Sequence, residues 1–372
     1  MAIAQKTINH RLLRRLLSIG WQSWSGSKNS LLKFPLFNYR PHLQTPKARF
    51  PKIIDQKIKR PSYGWCSWYT HGENINEDII LSQAKWIAKN KEDQKLPLEY
   101  VLIDGGWTTW GDWLEADLVK FPKGLKDTAG KIKLQHLKPG IWMAPFLVHP
   151  KSKVALNHPD WLVRQNGRLV EGFRLTPFDH FFSHRKWILN IKKPEVRKYL
   201  DHSINYLIEK CGFDLLKLDF LYGLHFDPNL SAKEADKFLR NFLNKIKKNH
   251  PHVYTIACGC PLLPAAGVVD SMRIGPDTSI SPFVKLFSHP VFSRWYTDNH
   301  VLPTITQKLW TKKLWNVDPD AFMCHKSLGY THQQLKRFQK LIKKGKGNIF
   351  LGDDLTKLSA KRIKKYLSPL FG

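Results

Sequence analysis

The chain has 372 residues, against roughly 150 for an ordinary domain, which leaves room for one large domain or two smaller ones. Its 42% hydrophobic, 12% aromatic and 24% charged content supplies a full apolar core and excludes a disordered, collagen-like or disulfide-framework chain. Sixty Lys and Arg against thirty Asp and Glu give +30, which fits either a polyanionic partner or a solvated, lysine-studded exterior.

In chain order, residues 1–60 read as a basic arm, with thirteen Lys or Arg, a single acid (Asp55), and Pro35, Pro41, Pro46 and Pro51 as punctuation. Its longest leading apolar run, Met1-Ala2-Ile3-Ala4, is too short for a signal-peptide core. Leu12, Leu13, Leu16 and Leu17 among Arg11, Arg14 and Arg15 give only a weak organelle-targeting pattern, and the expected location is cytoplasmic. No run approaches the ~18 apolar residues of a spanning helix.

From residue 61 short β-rich runs alternate with helical ones. The strands are expected at Tyr63–Tyr69, Glu99–Asp104, Pro139–Phe146, Leu215–Phe220, Val253–Cys258, Met272–Ile274, Leu314–Val317 and Asn348–Leu351. Helices are expected near 76–93, 125–136, 195–211, 232–249, 295–311, 331–344 and 359–368, with a weaker connection at 264–270. The 232–249 helix is announced by a capping box, Ser231 with Glu234, and by the spacing of Phe238, Leu239, Phe242, Leu243 and Ile246. Eight strands, all but one followed by a convincing helix, predict an α/β chain folded as a (β/α)8 TIM barrel over 61–372, preceded by the arm at 1–60. A doubly wound sheet fits less well, because no Gly-x-Gly-x-x-Gly turn follows a strand.

Five cysteines cannot all pair, and the Cys258-x-Cys260 spacing is not that of a zinc site, so reduced thiols and no metal are expected. The basic residues lack a zinc-finger, RNA-recognition or basic-zipper signature, so no specific nucleic-acid partner is expected.

In such a barrel the chemistry gathers where strands end. Those positions hold Trp65 and Trp68, Asp104 and Trp107, Trp142, Lys217 and Asp219, Cys258, Arg273 and Asp277, Asp318 and Asp320, and Asp353 and Asp354. Core packing predicts Val, Ile and Leu there instead, although any one of these acids suits a cap or a turn. Indole rings cover the C–H face of a sugar, carboxylates accept its hydroxyl hydrogens, and two further carboxylates can cleave a glycosidic bond. Asp219 and Asp277 are the expected pair. Lys217 shares the side of the strand on which Asp219 lies, and its charge favours the ionised carboxylate a nucleophile needs. Asp277 follows the Gly275-Pro276 turn and would serve as general acid if burial or its anionic partner raises its pKa.

At these motifs the chain resembles the melibiase-type α-galactosidases, glycoside hydrolase family 36 and the related family 27. The resemblance covers most of residues 62–355. It runs through Gly64-Trp65-Cys66-Ser67-Trp68-Tyr69, Asp104-Gly105-Gly106-Trp107, Lys138-Pro139-Gly140-Ile141-Trp142 and Lys217-Leu218-Asp219. It continues through Cys258-Gly259, Arg273-Ile274-Gly275-Pro276-Asp277 and Asn316-Val317-Asp318-Pro319-Asp320. The resemblance implies a retaining hydrolase of terminal α-galactosides that needs no cofactor, with Asp219 as nucleophile and Asp277 as acid/base. It implies that Lys217 and Arg273 hold sugar hydroxyls and that Asp104 receives the O4/O6 side. Trp142 and Cys258 would line the same subsite, and Trp65 would form part of the pocket wall. The partner is then an α-galactoside oligosaccharide or glycoconjugate, with the oligomeric state left open.

Two departures accompany it. Gly105 stands where the family usually carries a second Asp, which bears on galactose specificity. The long β-sandwich that precedes the barrel in larger relatives is reduced here to about sixty residues, and the Gly20-Trp21-Gln22-Ser23-Trp24 echo of the first motif reads as a remnant of it. Other readings are an α-galactosyl transferase, a hydrolase of another α-glycoside, and a non-catalytic carbohydrate-binding barrel. A nucleic-acid binder exploiting the charge would show steeply salt-dependent DNA retention and no glycosidase turnover.

Overall fold

Nine short strands lie parallel in one sheet: β1 Tyr63–Cys66, β2 Tyr100–Ile103, β3 Lys138–Met143, β4 Leu215–Leu218, β5 Tyr254–Ala257, β6 Ser271–Arg273, β7 Asn316–Asp318, β8 Ala321–Phe322 and β9 Ile349–Leu351. This computed structural model describes residues 58–173, 185–278 and 294–372, all within one compact unit, Ile53–Gly372. The expected basic arm and its Trp21–Trp24 echo therefore lie outside the described residues, apart from Ile58, Lys59 and Arg60.

The strand order is β7-β6-β5-β4-β3-β2-β1-β9-β8. Seven consecutive strands thus pair with their chain neighbours, and β1 pairs on its other side with β9 through Tyr63↔Ile349 and Trp65↔Leu351. The α/β class agrees with expectation, whereas the strand count is nine rather than eight. The seventh expected run, Leu314–Val317, is seen as β7, and the unexpected strand is β8, set off from β7 by Pro319, which has no N–H for the ladder, and Asp320, whose φ is +83. The two edge segments of the curled sheet, β7 and β8, are therefore separated in the chain only by that dipeptide, and Asn348 N donates to Val317 O at 2.9 Å.

Side chains alternate across each strand. The inner face carries Cys66, Tyr100, Leu102, Leu215, Tyr254, Ile256, Ala321 and Phe350, packed as one buried cluster. At the amino-terminal end of the strands, Tyr254 donates to Asn348 Oδ1 (2.7 Å), Asn316 donates to the Tyr254 hydroxyl (3.0 Å), and Asn348 donates to Ser271 Oγ (2.8 Å). That network satisfies polar groups whose burial unpaired would be costly.

Helices cover the outer face. α1 (Glu77–Asn90) is capped by Asn76 and buries Ile80, Ala84 and Ile87. α2 is Gly124–Lys133 and α3 is Pro194–Asn205. α4 (Ala232–Asn249) carries the expected Ser231/Glu234 box and buries Leu239, Phe242, Leu243 and Ile246, each such side chain contributing about 1.5–3 kcal/mol. α5 is Leu302–Lys308, and α6 (His332–Gly345) is capped by Thr331 with Gln334. After β5 there is only the short helix Leu262–Ala265, where the sequence pattern is weakest. Between β3 and α3 a small antiparallel sheet, Leu147–Val148 with Lys186–Ile188 and Glu171–Phe173, stands over the carboxyl end of the strands; no alternation signal marks such short strands. Among the described residues, no helix is long and apolar enough to cross a membrane.

Candidate active site

The inward-facing positions continue beyond the ends of β2 to β6 and bring together Asp104, Trp142, Lys217, Asp219, Cys258 and Arg273. On β2, Leu102 faces inward, so Asp104 does as well. Asp104 Oδ2 accepts from Lys217 Nζ at 2.7 Å and from the Cys66 thiol at 3.3 Å, and Oδ1 accepts from Gly105 N at 2.8 Å. Burial works against the Lys217 charge, but the Asp104 carboxylate, with Asp219 adding to it, outweighs burial and holds the ammonium well above the ordinary lysine range. A buried pair of this kind demands both partners.

Asp219 follows Lys217 by two residues on β4. Its Oδ2 accepts the Trp142 indole N–H at 3.0 Å and its Oδ1 accepts its neighbour's amide, Phe220 N, at 2.7 Å. Phe220 itself takes the left-handed conformation, φ 51 and ψ 35. Such a backbone costs a non-glycine residue about 1–2 kcal/mol and is held by its surroundings. The Asp219 backbone is fixed as well, its N–H donating to Met143 O at 2.8 Å. Two donors and a fixed backbone aim the carboxylate. Trp142 is positioned in turn: its carbonyl accepts from Trp107 Nε1 at 2.9 Å, and Trp110 packs edge-on against its ring at 4.8 Å. Cys258 lies against Asp219, and burial followed by the Asp219 charge pushes its thiol well up, so it is protonated and unreactive.

Arg273 closes β6. Its Nη2 meets Asp320 Oδ2 at 2.5 Å and Asp277 Oδ1 at 3.1 Å, and the Tyr69 hydroxyl also donates to Asp320. Thr278 N donates to Asp320 Oδ2 at 2.8 Å, which ties the Asp277 loop to the break between β7 and β8. Asp277 leaves 56% of its side chain open to water. What burial it has, with the charges of Asp320 and Asp219 and against the pull of Arg273 and Lys217, pushes its carboxyl up to about 6. Asp219 thus acts on Asp277. Both also act on Tyr222, whose hydroxyl is raised well above its ordinary range by burial and then by the two carboxylates.

Trp65 stands apart from this group. Cys66 and Gly64 occupy the inward positions of β1, so Trp65 points into the helix layer. There it is fully buried, donates from Nε1 to Asp353 O at 2.8 Å and packs edge-on against His71. The expected pocket-wall role is corrected by this placement. The acids after β9 are also outside the group: Asp353 accepts from Cys324 N and His325 N, and Asp354 accepts from Gln83 and Thr356. Sequence reasoning missed Tyr69 as a member and noted Asp320 only as a strand-end acid. The Asp318-Pro319-Asp320 interruption was the available signal.

The melibiase family model matches residues 67–260. The chain is 26% identical to an α-galactosidase of Escherichia coli over 231 residues, covering 59% of this chain and 30% of that protein. It is 26% identical to α-galactosidase 2 of Hypocrea jecorina over 180 residues, 44% of this chain and 22% of that one. It therefore spans under a third of the length of these relatives. An α-galactosidase from Thermus thermophilus, solved in complex with p-nitrophenyl α-D-galactopyranoside, superposes with a TM-score of 0.68 at 25% identity, covering 84% of this chain and 62% of that one. The same enzyme with stachyose gives 0.67 at 26%, covering 83% and 65%.

Proposed function

The chain belongs to the melibiase family, and on that premise we propose that it is a retaining glycoside hydrolase of terminal α-galactosides, with Asp219 as nucleophile and Asp277 as acid/base. The observation that carries this reading is the contrast between the two carboxyls. Asp219 is aimed by two N–H donors, whereas Asp277 is pushed up to about 6 and so holds a proton in mildly acidic solution. A carboxyl that keeps its proton can act as the acid, and one fixed in place by N–H donors is set to attack.

In the first step Asp219 attacks the anomeric carbon while Asp277 gives its proton to the departing oxygen, forming a glycosyl ester on Asp219. In the second step Asp277, now ionised, takes a proton from water as that water attacks the same carbon and frees Asp219. Retention requires the carboxyls about 5–5.5 Å apart. Lys217 and Arg273 donate to sugar hydroxyls, Asp104 accepts from them, and Trp142 and Cys258 line the ring. Two carboxylates and water complete the cycle, so this reaction calls for no cofactor.

Two structural readings accompany it. The sheet closes as an eight-stave barrel whose seventh stave is split into β7 and β8, and the domain runs over 61–372 with 1–60 as a separate basic arm. The Asn348–Val317 bond between the β7 and β9 regions supports the closure.

Hydrolysis of an aryl α-galactoside by the wild type, Asp219→Gly and Asp277→Ala tests the assignment. Azide restores turnover in Asp219→Gly and yields a β-galactosyl azide, and Asp277→Ala loses most activity toward substrates with a poor leaving group. Activity untouched by either change rejects the reading. Product analysis with a sugar acceptor separates hydrolysis from transfer.

A further inference from the structure

The two N–H donors that aim Asp219 come from different elements, the Trp142 indole from β3 and the Phe220 amide from the turn after β4. One side chain touches the rings of both. Trp110 packs edge-on against Trp142 with ring centroids 4.8 Å apart, and tilted against Phe220 at 5.1 Å. A third contact comes from the small antiparallel sheet above the strand ends, where Lys186 Nζ stands over the Trp110 ring at 4.7 Å. Lys186 is only 5% exposed, and an indole face attracts a cation most strongly when that cation is withdrawn from water.

Trp110 is fixed from its backbone outward. Asp112 N donates to Thr109 O at 2.9 Å, closing a four-residue turn with Trp110 and Gly111 at its centre. Gly111 has φ +109, the left-handed region that the third position of such a turn favours for glycine. A Cβ there would stand 2.8 Å from Val148 Cγ1, so the turn packs directly on the small sheet. His149 N, the next residue along, donates to Trp110 O at 2.7 Å. The indole is thus delivered to the site from a scaffold separate from β3 and β4. It also bears on a strained residue: Phe220 keeps its left-handed backbone only while its surroundings hold it, and its ring lies between Trp110 and Tyr222.

We propose that Trp110 is a positioning residue for the nucleophile, bracing both hydrogen-bond donors to Asp219, and that Lys186 seats its ring. This deepens, and rests on, the retaining-glycosidase reading above. Trp110 reaches the chemistry through the Asp219 carboxylate, so its removal falls on kcat rather than KM, and falls hardest where that carboxylate is the attacking group.

The test places Trp110→Leu in the wild type and in Asp219→Gly supplied with azide, and follows hydrolysis or azide transfer from an aryl α-galactoside. In the second background the nucleophile arrives from solution and no carboxylate remains to be aimed. Trp110→Leu is expected to lower the wild-type kcat by about 10-fold or more with KM within about threefold, and the azide-restored rate by less than about threefold. Trp110→Phe, which keeps a ring between the two partners, recovers part of the loss. Lys186→Met leaves every ring in place, shows a smaller loss with the same pattern, and carries the comparison if Trp110→Leu does not fold. A wild-type kcat unmoved by these changes, a loss confined to KM, or equal losses in the two backgrounds marks a sugar platform or general damage, and overturns the proposal while the glycosidase reading stands. Failure of azide to restore turnover in Asp219→Gly overturns both.

Discussion

Asp277 shares its cation. The Arg273 Nη2 that lies 3.1 Å from Asp277 is held closer to Asp320, at 2.5 Å, so much of its charge is balanced before it reaches the exposed acid. Asp320 therefore raises Asp277 twice over, by its own negative charge and by engaging the arginine.

A pH profile follows from this. The proton on Asp277 is lost as pH rises through about 6, so kcat/KM on an unactivated α-galactoside falls above that value. Asp320→Asn removes one negative charge and frees Arg273, which moves the basic limb to lower pH. A limb that stays in place in Asp320→Asn contradicts the coupling. Stability has the matching sign. The folded carboxyl binds its proton more tightly than the unfolded one, so this group's contribution falls as pH rises from about 4 to about 6, and Asp277→Asn removes that slope. Denaturation midpoints across this range measure it.

Trp142→Phe keeps most of the ring packing and deletes the N–H that Asp219 accepts. A hydrogen bond to a charged group contributes about 1.5–3 kcal/mol, so kcat/KM falls by about 10-fold or more, with the loss mainly in kcat if the bond steadies the nucleophile during attack. A loss confined to KM would instead mark Trp142 as a ring platform alone.

Lys217→Met leaves Asp104 buried with no cation, and a destabilisation of about 3–5 kcal/mol is expected. Adding Asp104→Asn restores part of it, because the remaining groups are then neutral. Thermal unfolding of the two single variants and the double reads the coupling directly; strictly additive losses would count against the pair as drawn.

Gly105 and Gly106 make an internal control. An alanine at 106 must adopt φ +107 and clears the Glu73 backbone only by moving it, at a cost of about 1–3 kcal/mol or more, whereas an alanine at 105 enters at ordinary contact distance. Gly106→Ala should lower the unfolding midpoint well below that of Gly105→Ala.

Much of the site was legible because strands obey a period of two. Once Leu215 and Ile256 are inward, Lys217, Asp219 and Cys258 must be too, and polar residues in such apolar runs mark a cavity rather than a core. The same rule, applied from Cys66, turns Trp65 outward; the tryptophan-rich motif hid that consequence. Asp320 was harder to read. Its approach to Arg273 depends on a left-handed residue after Pro319, and no local periodicity encodes that. Tyr69 was read as the end of a strand, but the chain instead makes a helical turn, Trp68–His71, that carries its hydroxyl to Asp320. The charged helix exteriors were legible only as exteriors.

The pairing of β1 with β9 has a consequence for biosynthesis. Tyr63 emerges from the ribosome long before Ile349, so the first strand waits with one rim unsatisfied while all the intervening strands are made. Until Leu351 is delivered, β1 is an open edge that invites pairing with another nascent chain. Nonsense or frameshift lesions that remove residues 349–351 would leave that edge permanently uncovered, and they should yield insoluble protein rather than a merely inactive one.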